Sequence, residues 1–286
     1  MQSDKDQRFD DEVEHIIEKF QADIEAAQYG AHEKAALFNR MLDVLIRPHH
    51  STLFWGDRMM SLDKSMGFLD QPALHIALDS IRGAHDYDDY RGPHTIAWRL
   101  HTLVWAAENG LRLPGDFVEC GVFQGDMAWV ITQVLDLGAL GKSFYLYDTF
   151  SGFSDTYSSS ADFPDNPGFL EFANEIYSKP GLYKSVCDRF ADDKSVKLVR
   201  GVVPDILKKD APDRISFLHI DLNSPTAEIG ALELLFERVS PGGIVVFDDY
   251  GWKVFRAQKE AEDQFMAERG YAILELPTGQ GVVVKR

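Results

Sequence analysis

Residues Gly242 to Gly251 read GGIVVFDDYG. Two glycines lead into four apolar residues, three of them β-branched, and two adjacent acids, Asp248 and Asp249, follow. No polar residue alternates within the run. It therefore reads as a strand buried on both faces, the pattern of a parallel sheet covered by helices on each side. In open sheets of that kind, ligands bind beyond the carboxyl ends of the strands. Acids placed just there are displayed in a cleft while the strand stays buried.

Working outward, FVEC (117–120), SFYLY (143–147), VKLVR (196–200), ISFLHI (215–220), AILEL (272–276) and GVVVKR (281–286) are further short apolar runs. Helical patterns separate most of them, as in a mostly parallel α/β sheet with crossover helices. Pro277 to Gln280 is too short for a crossover, so the last strand is expected to be antiparallel. Residues 1–110 read as an N-terminal helical region that completes the cleft or forms dimer contacts. Val13, Ile16, Ile17, Phe20 and Ile24 recur at helical spacing, as do Ala35, Phe38, Leu42, Leu45 and Ile46. Thr95 to Asn109 is a further amphipathic helix with Gly110 as its C-terminal cap, and HDYDDYRGPH (85–94) reads as loop. Residues 111–286 form the ligand-binding domain. Within it SDTYSSSADFPDNPGFLEF, from Ser154 to Phe172, is too long for a plain connection and reads as part of a lid at about 153–178.

A net charge of −17 over 286 residues repels nucleic acid and anionic membrane, and no Lys/Arg stripe offsets it. The opening MQSDKDQRFDDEVEHII lacks the apolar stretch of a signal peptide. Cys120 and Cys187 form no CxxC pair, and Cys120 reads as a small core residue. A soluble, cytoplasmic protein with a small-molecule partner is the expectation.

VECGVFQGD (118–126) runs from a strand through Gly121 and Gly125 into a helix. The glycines permit a tight turn, and the helix N-terminus offers N–H groups to an anion. The spacing is GxxxG, not the GxGxxG of dinucleotide folds. Glu119 inside an apolar strand needs a partner: an ammonium group, loop amides or a structural hydrogen bond. Asp148 ends the second strand, where an acid can accept from ribose hydroxyls or cap a helix. Asp221 ends the fourth strand, with His219 two residues earlier on the same face. If the fourth and fifth strands are adjacent, Asp221, Asp248 and Asp249 converge. Three carboxylates in one small site call for a compensating cation, and oxygen ligands suit Mg²⁺, Ca²⁺ or Mn²⁺.

PGDFVECGVFQGD, YDTFSGF, LVRGVVPDIL, HIDLN and SPGGIVVFDDYG, in this order over about residues 95–286, resemble the class I S-adenosylmethionine-dependent methyltransferases. More closely, they resemble the macrocin and mycinamicin sugar O-methyltransferase family. The resemblance implies a Rossmann-like sheet and S-adenosylmethionine as cofactor. Glu119, Gly121, Val122, Phe123 and Gly125 would cradle its methionine part, with its α-ammonium a partner for Glu119. Asp148, Thr149 and Phe150 would hold the ribose, Gly201 and Val202 would border the adenine, and Asp221 would reach the cofactor as well. Asp221, Asp248 and Asp249 would bind a divalent metal, usually Mg²⁺ in this family. Asp221 would be the general base, with His219 as an orienting or second catalytic group.

The implied activity is metal-dependent O-methylation of a hydroxyl on a sugar or sugar-containing natural product, by a homodimer or higher homo-oligomer. One departure stands out. The family often carries a second acid two residues after the first, then Tyr-Glu-Ser-Thr; here Asp221 is followed by Leu222-Asn223-Ser224-Pro225-Thr226. Asn223 cannot serve as a base. A catechol-type O-methyltransferase with an apolar slot around Phe163, Phe169 and Trp252 is the enzymatic alternative. A non-catalytic cofactor-binding homologue, suggested by Asn223, is the other.

Overall fold

The computed structural model describes residues 13–24, 31–81 and 95–286. HDYDDYRGPH and the first 12 residues lie outside them. The chain divides into two compact units, residues 1–54 with 60–65, and residues 55–59 with 66–286. In the first unit, residues 13–24 form helix α1 and Ala31–Met41 form α2, which runs on through a π-helical turn at Leu42–Ile46. Ile16, Ile17, Val44 and Leu45 are exposed. Strands β1 (Leu53–Gly56) and β2 (Met59–Leu62) form a hairpin. Its turn is Asp57-Arg58, both with positive φ, the geometry of a two-residue type I′ connection.

The second unit holds a seven-stranded sheet. Its strands are β3 (Asp116–Cys120), β4 (Phe144–Asp148), β5 (Val196–Arg200), β6 (Ile215–Ile220), β7 (Val239–Phe247), β8 (Leu274–Glu275) and β9 (Gly281–Val284). Their order is β5-β4-β3-β6-β7-β9-β8. Pairs from β5 through β7 are parallel, while β9 runs antiparallel to β7 and to β8. The expected topology is therefore observed, with β9 inserted between β7 and the short edge strand β8. Among the described residues no helix is long and apolar enough to cross a membrane.

Side chains alternate across the sheet. Phe117, Phe144 and Phe217 meet on one face with centroids 5.3–6.3 Å apart. That face carries α3 (Pro72–Ser80), α4 (Ala97–Gly110) and α5 (Asp126–Val134). Val118, Leu218 and Val245 point to the other face. Three further helices there are α8 (Leu207–Asp210), α9 (Pro225–Leu235) and α10 (Arg256–Glu268). Between the two sets in sequence lie α6 (Phe169–Tyr177) and α7 (Leu182–Arg189). Cys120 is buried in the core, and both cysteines are free.

Gly110 is not the αL cap its position suggests. It is the last residue of α4, and Leu111 behind it is still helical. A Cβ on Gly110 would lie 2.8 Å from the Ser216 carbonyl oxygen and 3.2 Å from the Phe117 ring. The glycine lets the helix end approach β6. Helix propensity alone makes Gly→Ala favourable by about 1 kcal/mol, but here the obstacle is backbone and cannot swing away. Gly110→Ala is expected to destabilise by about 2 kcal/mol, and urea unfolding measures the sign.

Candidate active site

Glu119 follows Phe117 and His219 follows Phe217 on the face covered by α4, so both reach toward that helix near the carboxyl edge. The register places them opposite each other. His219 Nδ1 lies 2.8 Å from Glu119 Oε1, and His219 Nε2 lies 3.7 Å from Asp248 Oδ1. All three groups are buried. Burial alone would lower the His219 pKa. The carboxylates of Asp248, 3.7 Å from its Nε2, and of Glu119, hydrogen-bonded to its Nδ1, overcome that and raise it to about 10. As an imidazolium it has no lone pair to offer and orients Asp248.

The chain of charges continues into α4. Arg99 Nη1 donates to Asp248 Oδ2 at 2.6 Å and to Asp249 Oδ1 at 3.0 Å. Arg99 Nε and Nη2 donate to the two oxygens of Asp57, on the hairpin turn, at 3.2 and 3.3 Å. The indole of Trp252 lies 5.6 Å from the Arg99 guanidinium and 4.8 Å from that of Arg58. Gln280 Nε2 fixes the other Asp248 oxygen at 3.0 Å. Arg99 thus supplies part of the cation that three converging acids require. Its signal in the sequence is a lone arginine on the stripe of Leu103, Ala106, Ala107 and Gly110, at helical offsets of four, seven, eight and eleven. Asp57 carries no comparable signal.

The acids respond differently. Burial works against ionised Asp248, but the Arg99 guanidinium and the nearby His219 imidazolium hold its carboxyl well below the usual range. Burial raises Asp249 to about 6, with Arg99 offsetting part of the rise. Asp221 is pushed well above its ordinary value by burial and by the charges of Asp248 and Asp249.

These acids line a cavity of about 320 Å³, and so does the turn after β3. Asp148 organises that turn: its Oδ2 accepts from the Val122 and Phe123 amides at 2.7 and 2.9 Å, and its Oδ1 from the Phe150 amide at 2.5 Å. Gly121, at φ 91°, leaves room for the Asp221 carbonyl, which any Cβ there would overlap. The close approach the glycine serves is therefore that of the β6 end. Of the residues singled out in the sequence, Gly121, Val122, Phe123, Asp148, Thr149, Val202, Asp221, Asp248 and Asp249 line the cavity. Glu119, Gly125, Phe150, Gly201 and His219 stand behind its wall. Glu119 is engaged by His219; Gly125 starts α5 at φ 80°; Phe150 packs on Tyr183; Gly201 donates to the Asp148 carbonyl.

The segment after β4 contributes Phe153, Ser154, Tyr157 and Ser158 to the wall, and α6 contributes Ile176 and Tyr177. The Tyr157 carbonyl is tied to Ser224 Oγ at 2.6 Å. Phe163 and Phe169 pack on each other and on Phe255, with centroids 4.8–6.1 Å apart, and Trp252 lies under the arginines. None of the three lines the cavity, because their own neighbours fill the slot.

The sheet order, its antiparallel β9 and the acid cluster at the carboxyl edge define a class I methyltransferase. The chain belongs to the macrocin O-methyltransferase family, whose model matches residues 97–273, and it is an O-methyltransferase. It is 28% identical over 198 residues to mycinamicin III 3''-O-methyltransferase of Micromonospora griseorubida, covering 66% of this chain and 76% of that one. A tetracenomycin-pathway relative from Streptomyces olivaceus, named 8-demethyl-8-(2,3-dimethoxy-alpha-L-rhamnosyl)-tetracenomycin-C 4'-O-methyltransferase, is 29% identical over 157 residues, covering 53% and 60%. The structure of the O-methyltransferase NovP superposes with a TM-score of 0.59 at 19% identity, covering 74% of this chain and 97% of that one. Calicheamicin methyltransferase CalS11 superposes with a TM-score of 0.55 at 17% identity, covering 77% and 93%.

Removing the Arg99 charge leaves buried acids without their partner. Arg99→Met is expected to cost about 3–5 kcal/mol at neutral pH. Asp248, held low by Arg99, contributes stability that is present at high pH and lost as pH falls. In the variant its carboxyl rises and protonation relieves the defect. Urea unfolding should therefore show a larger cost at pH 8 than at pH 5; equal costs would count against this electrostatic account.

Proposed function

We propose that the protein transfers a methyl group from S-adenosylmethionine to a hydroxyl of a sugar or sugar-containing natural product. The observation that carries this reading is one cavity lined both by the Asp148-held turn and by Asp221, Asp248 and Asp249. S-adenosylmethionine, when bound, supplies a methyl on an electrophilic sulfonium. Gly121, Val122 and Phe123 would hold its amino-acid end, Asp148 and Thr149 its ribose, and Val202 would border its base. Asp148 Oδ2 already takes two amides of the turn, while Oδ1, bound closely only by the Phe150 amide, keeps a lone pair for a ribose hydroxyl. Asp221 would take the hydroxyl proton; its place on the cavity wall and the absence of an Arg99 bond to it support that role.

A hard divalent cation such as Mg²⁺ fits the donor set. Asp221, Asp248 and Asp249 offer carboxylate oxygens, and single oxygens of Asp221 and Asp248 lie within 4.8 Å of each other. Such a cation would lower the pKa of a hydroxyl held at the acids. Arg99 and Gln280 hold Asp248, and Arg99 holds Asp249, in fixed orientations for that purpose. The remaining task is positioning, which tight packing supplies. The 153–178 segment acts as the lid. Ser154, Tyr157, Ser158, Asn223 and Ser224 on the wall favour a polyhydroxylated acceptor over a flat aromatic one. The exposed Ile16, Ile17, Val44 and Leu45 support homo-oligomer contacts through the first unit.

Calorimetric titration with S-adenosylhomocysteine tests the cofactor reading. Wild type is expected to bind, and Asp148→Ala to bind at least about tenfold more weakly; a folded wild type that does not bind sinks the reading. Asp221→Asn should lower kcat by roughly 10²–10⁴. Assays on sugar and catechol panels, with and without chelator, test the acceptor and the metal. Sedimentation of wild type and Leu45→Glu tests the oligomer.

A further inference from the structure

One charge on the cavity wall has the wrong sign for the proposed cofactor. Asp126, the first residue of α5, is buried and lines the cavity together with Gln124 and Met127. Helix α5 starts directly after the turn from Gly121 to Gly125, and the first N–H groups of a helix have no intrahelical partner. Its N-cap is Gly125, which has no side chain to accept from them. Such a helix end attracts a carboxylate, and the amino-acid end of S-adenosylmethionine brings one. Asp126 suits the α5 dipole while the cavity is empty of ligand. A second carboxylate arriving beside it would be repelled.

Arg189, the last residue of α7, meets this acid. Its Nη1 donates to Asp126 Oδ1 and, at 2.8 Å, to the Gln124 carbonyl oxygen. The Arg189 side chain is partly buried and stands behind the wall, touching the residues that line it. The end of α7 is itself seated on the turn. A Cβ on Gly125 would lie 2.9 Å from the Phe190 ring and 3.5 Å from Val186. The Phe190 ring meets Trp129 of α5 edge-on with centroids 5.7 Å apart, and the Arg189 guanidinium lies 5.8 Å from the Trp129 ring. Packing thus fixes where Arg189 can reach, and its two bonds bracket Gly125 at residues 124 and 126.

We propose that Arg189 is a positioning residue for the cofactor: it neutralises Asp126 and fixes the Gln124 carbonyl, so that the start of α5 accepts the cofactor's carboxylate. This assignment rests on the reading of the cavity as an S-adenosylmethionine site. A purely structural clamp would serve every ligand of the cavity alike. Charge compensation serves only a ligand that carries the carboxylate, and it is needed only while Asp126 is an acid. Those two differences separate the roles.

The test is calorimetric titration of the full chain as wild type, Arg189→Met, Asp126→Asn and the double variant. The probes are S-adenosylhomocysteine and methylthioadenosine, which lacks the amino-acid end. Arg189→Met should weaken S-adenosylhomocysteine at least about tenfold and methylthioadenosine less than about threefold. In the Asp126→Asn background the same change should weaken S-adenosylhomocysteine less than about threefold, because no charge is left to neutralise. Equal losses for the two nucleosides, or an undiminished loss in the Asp126→Asn background, would overturn the proposal. Where methylthioadenosine binds too weakly to titrate, the Asp126→Asn comparison decides. Should Arg189→Met not fold, Arg189→Gln, which keeps a donor for the Gln124 carbonyl and removes the charge, is held to the same ratios. A folded wild type that binds neither nucleoside sinks the cofactor reading and this proposal with it. A wild type that binds S-adenosylhomocysteine, with Arg189→Met binding as tightly, sinks this proposal alone.

Discussion

One buried guanidinium holds the carboxyl edge of the sheet together. Arg99 reaches from α4 to the end of β7 and to the hairpin turn, binding Asp248, Asp249 and Asp57 at 2.6–3.3 Å. A lysine could not do the same, since a compact ammonium lacks the planar fork that meets three carboxylates at once. Desolvating so many charges is costly, and a buried ion pair is poor evidence for stability in itself. What the arrangement secures is direction. Each oxygen of Asp248 has a named partner, Arg99 on one and Gln280 on the other, with His219 alongside.

Much of this fold is legible in the chain because the strands are unmixed apolar runs. VKLVR and ISFLHI coincide with β5 and β6, and the short Pro277–Gln280 connection specifies the antiparallel hairpin. The acids at strand ends are legible for the same reason, since the sheet's geometry dictates where Asp221 and Asp248 must emerge. Adjacency of β6 and β7 then brings them together. Arg99 and Asp57 are a different matter. Their partners lie 149 and 42 residues from Arg99 in sequence, and no local pattern encodes a meeting at that separation. The requirement for a cation could be deduced; its source in a helix on the far side of the chain could not.

Glycine tells a similar story. Gly110 and Gly121 both look like turn or ligand residues from sequence, and both serve close approaches between backbones. Aromatic residues mislead in the opposite direction. Phe163 and Phe169 suggest an apolar slot, yet Phe255 completes a cluster with them and none of the three lines the cavity. In both cases the decisive neighbour comes from a distant part of the chain, and periodicity is silent about it.

The placement of β9 has a consequence for the order in which the molecule is built. On a ribosome, β3 to β7 emerge first and can pair among themselves, but β7 keeps an unpaired edge until residues 281–284 arrive. Gln280, just before that strand, also binds the Asp248 oxygen that Arg99 leaves open. Until then Asp248 has its Arg99 partner but lacks its second one. The same late segment that closes an aggregation-prone edge also sets the site, so maturation of chemistry and protection of the fold are a single event.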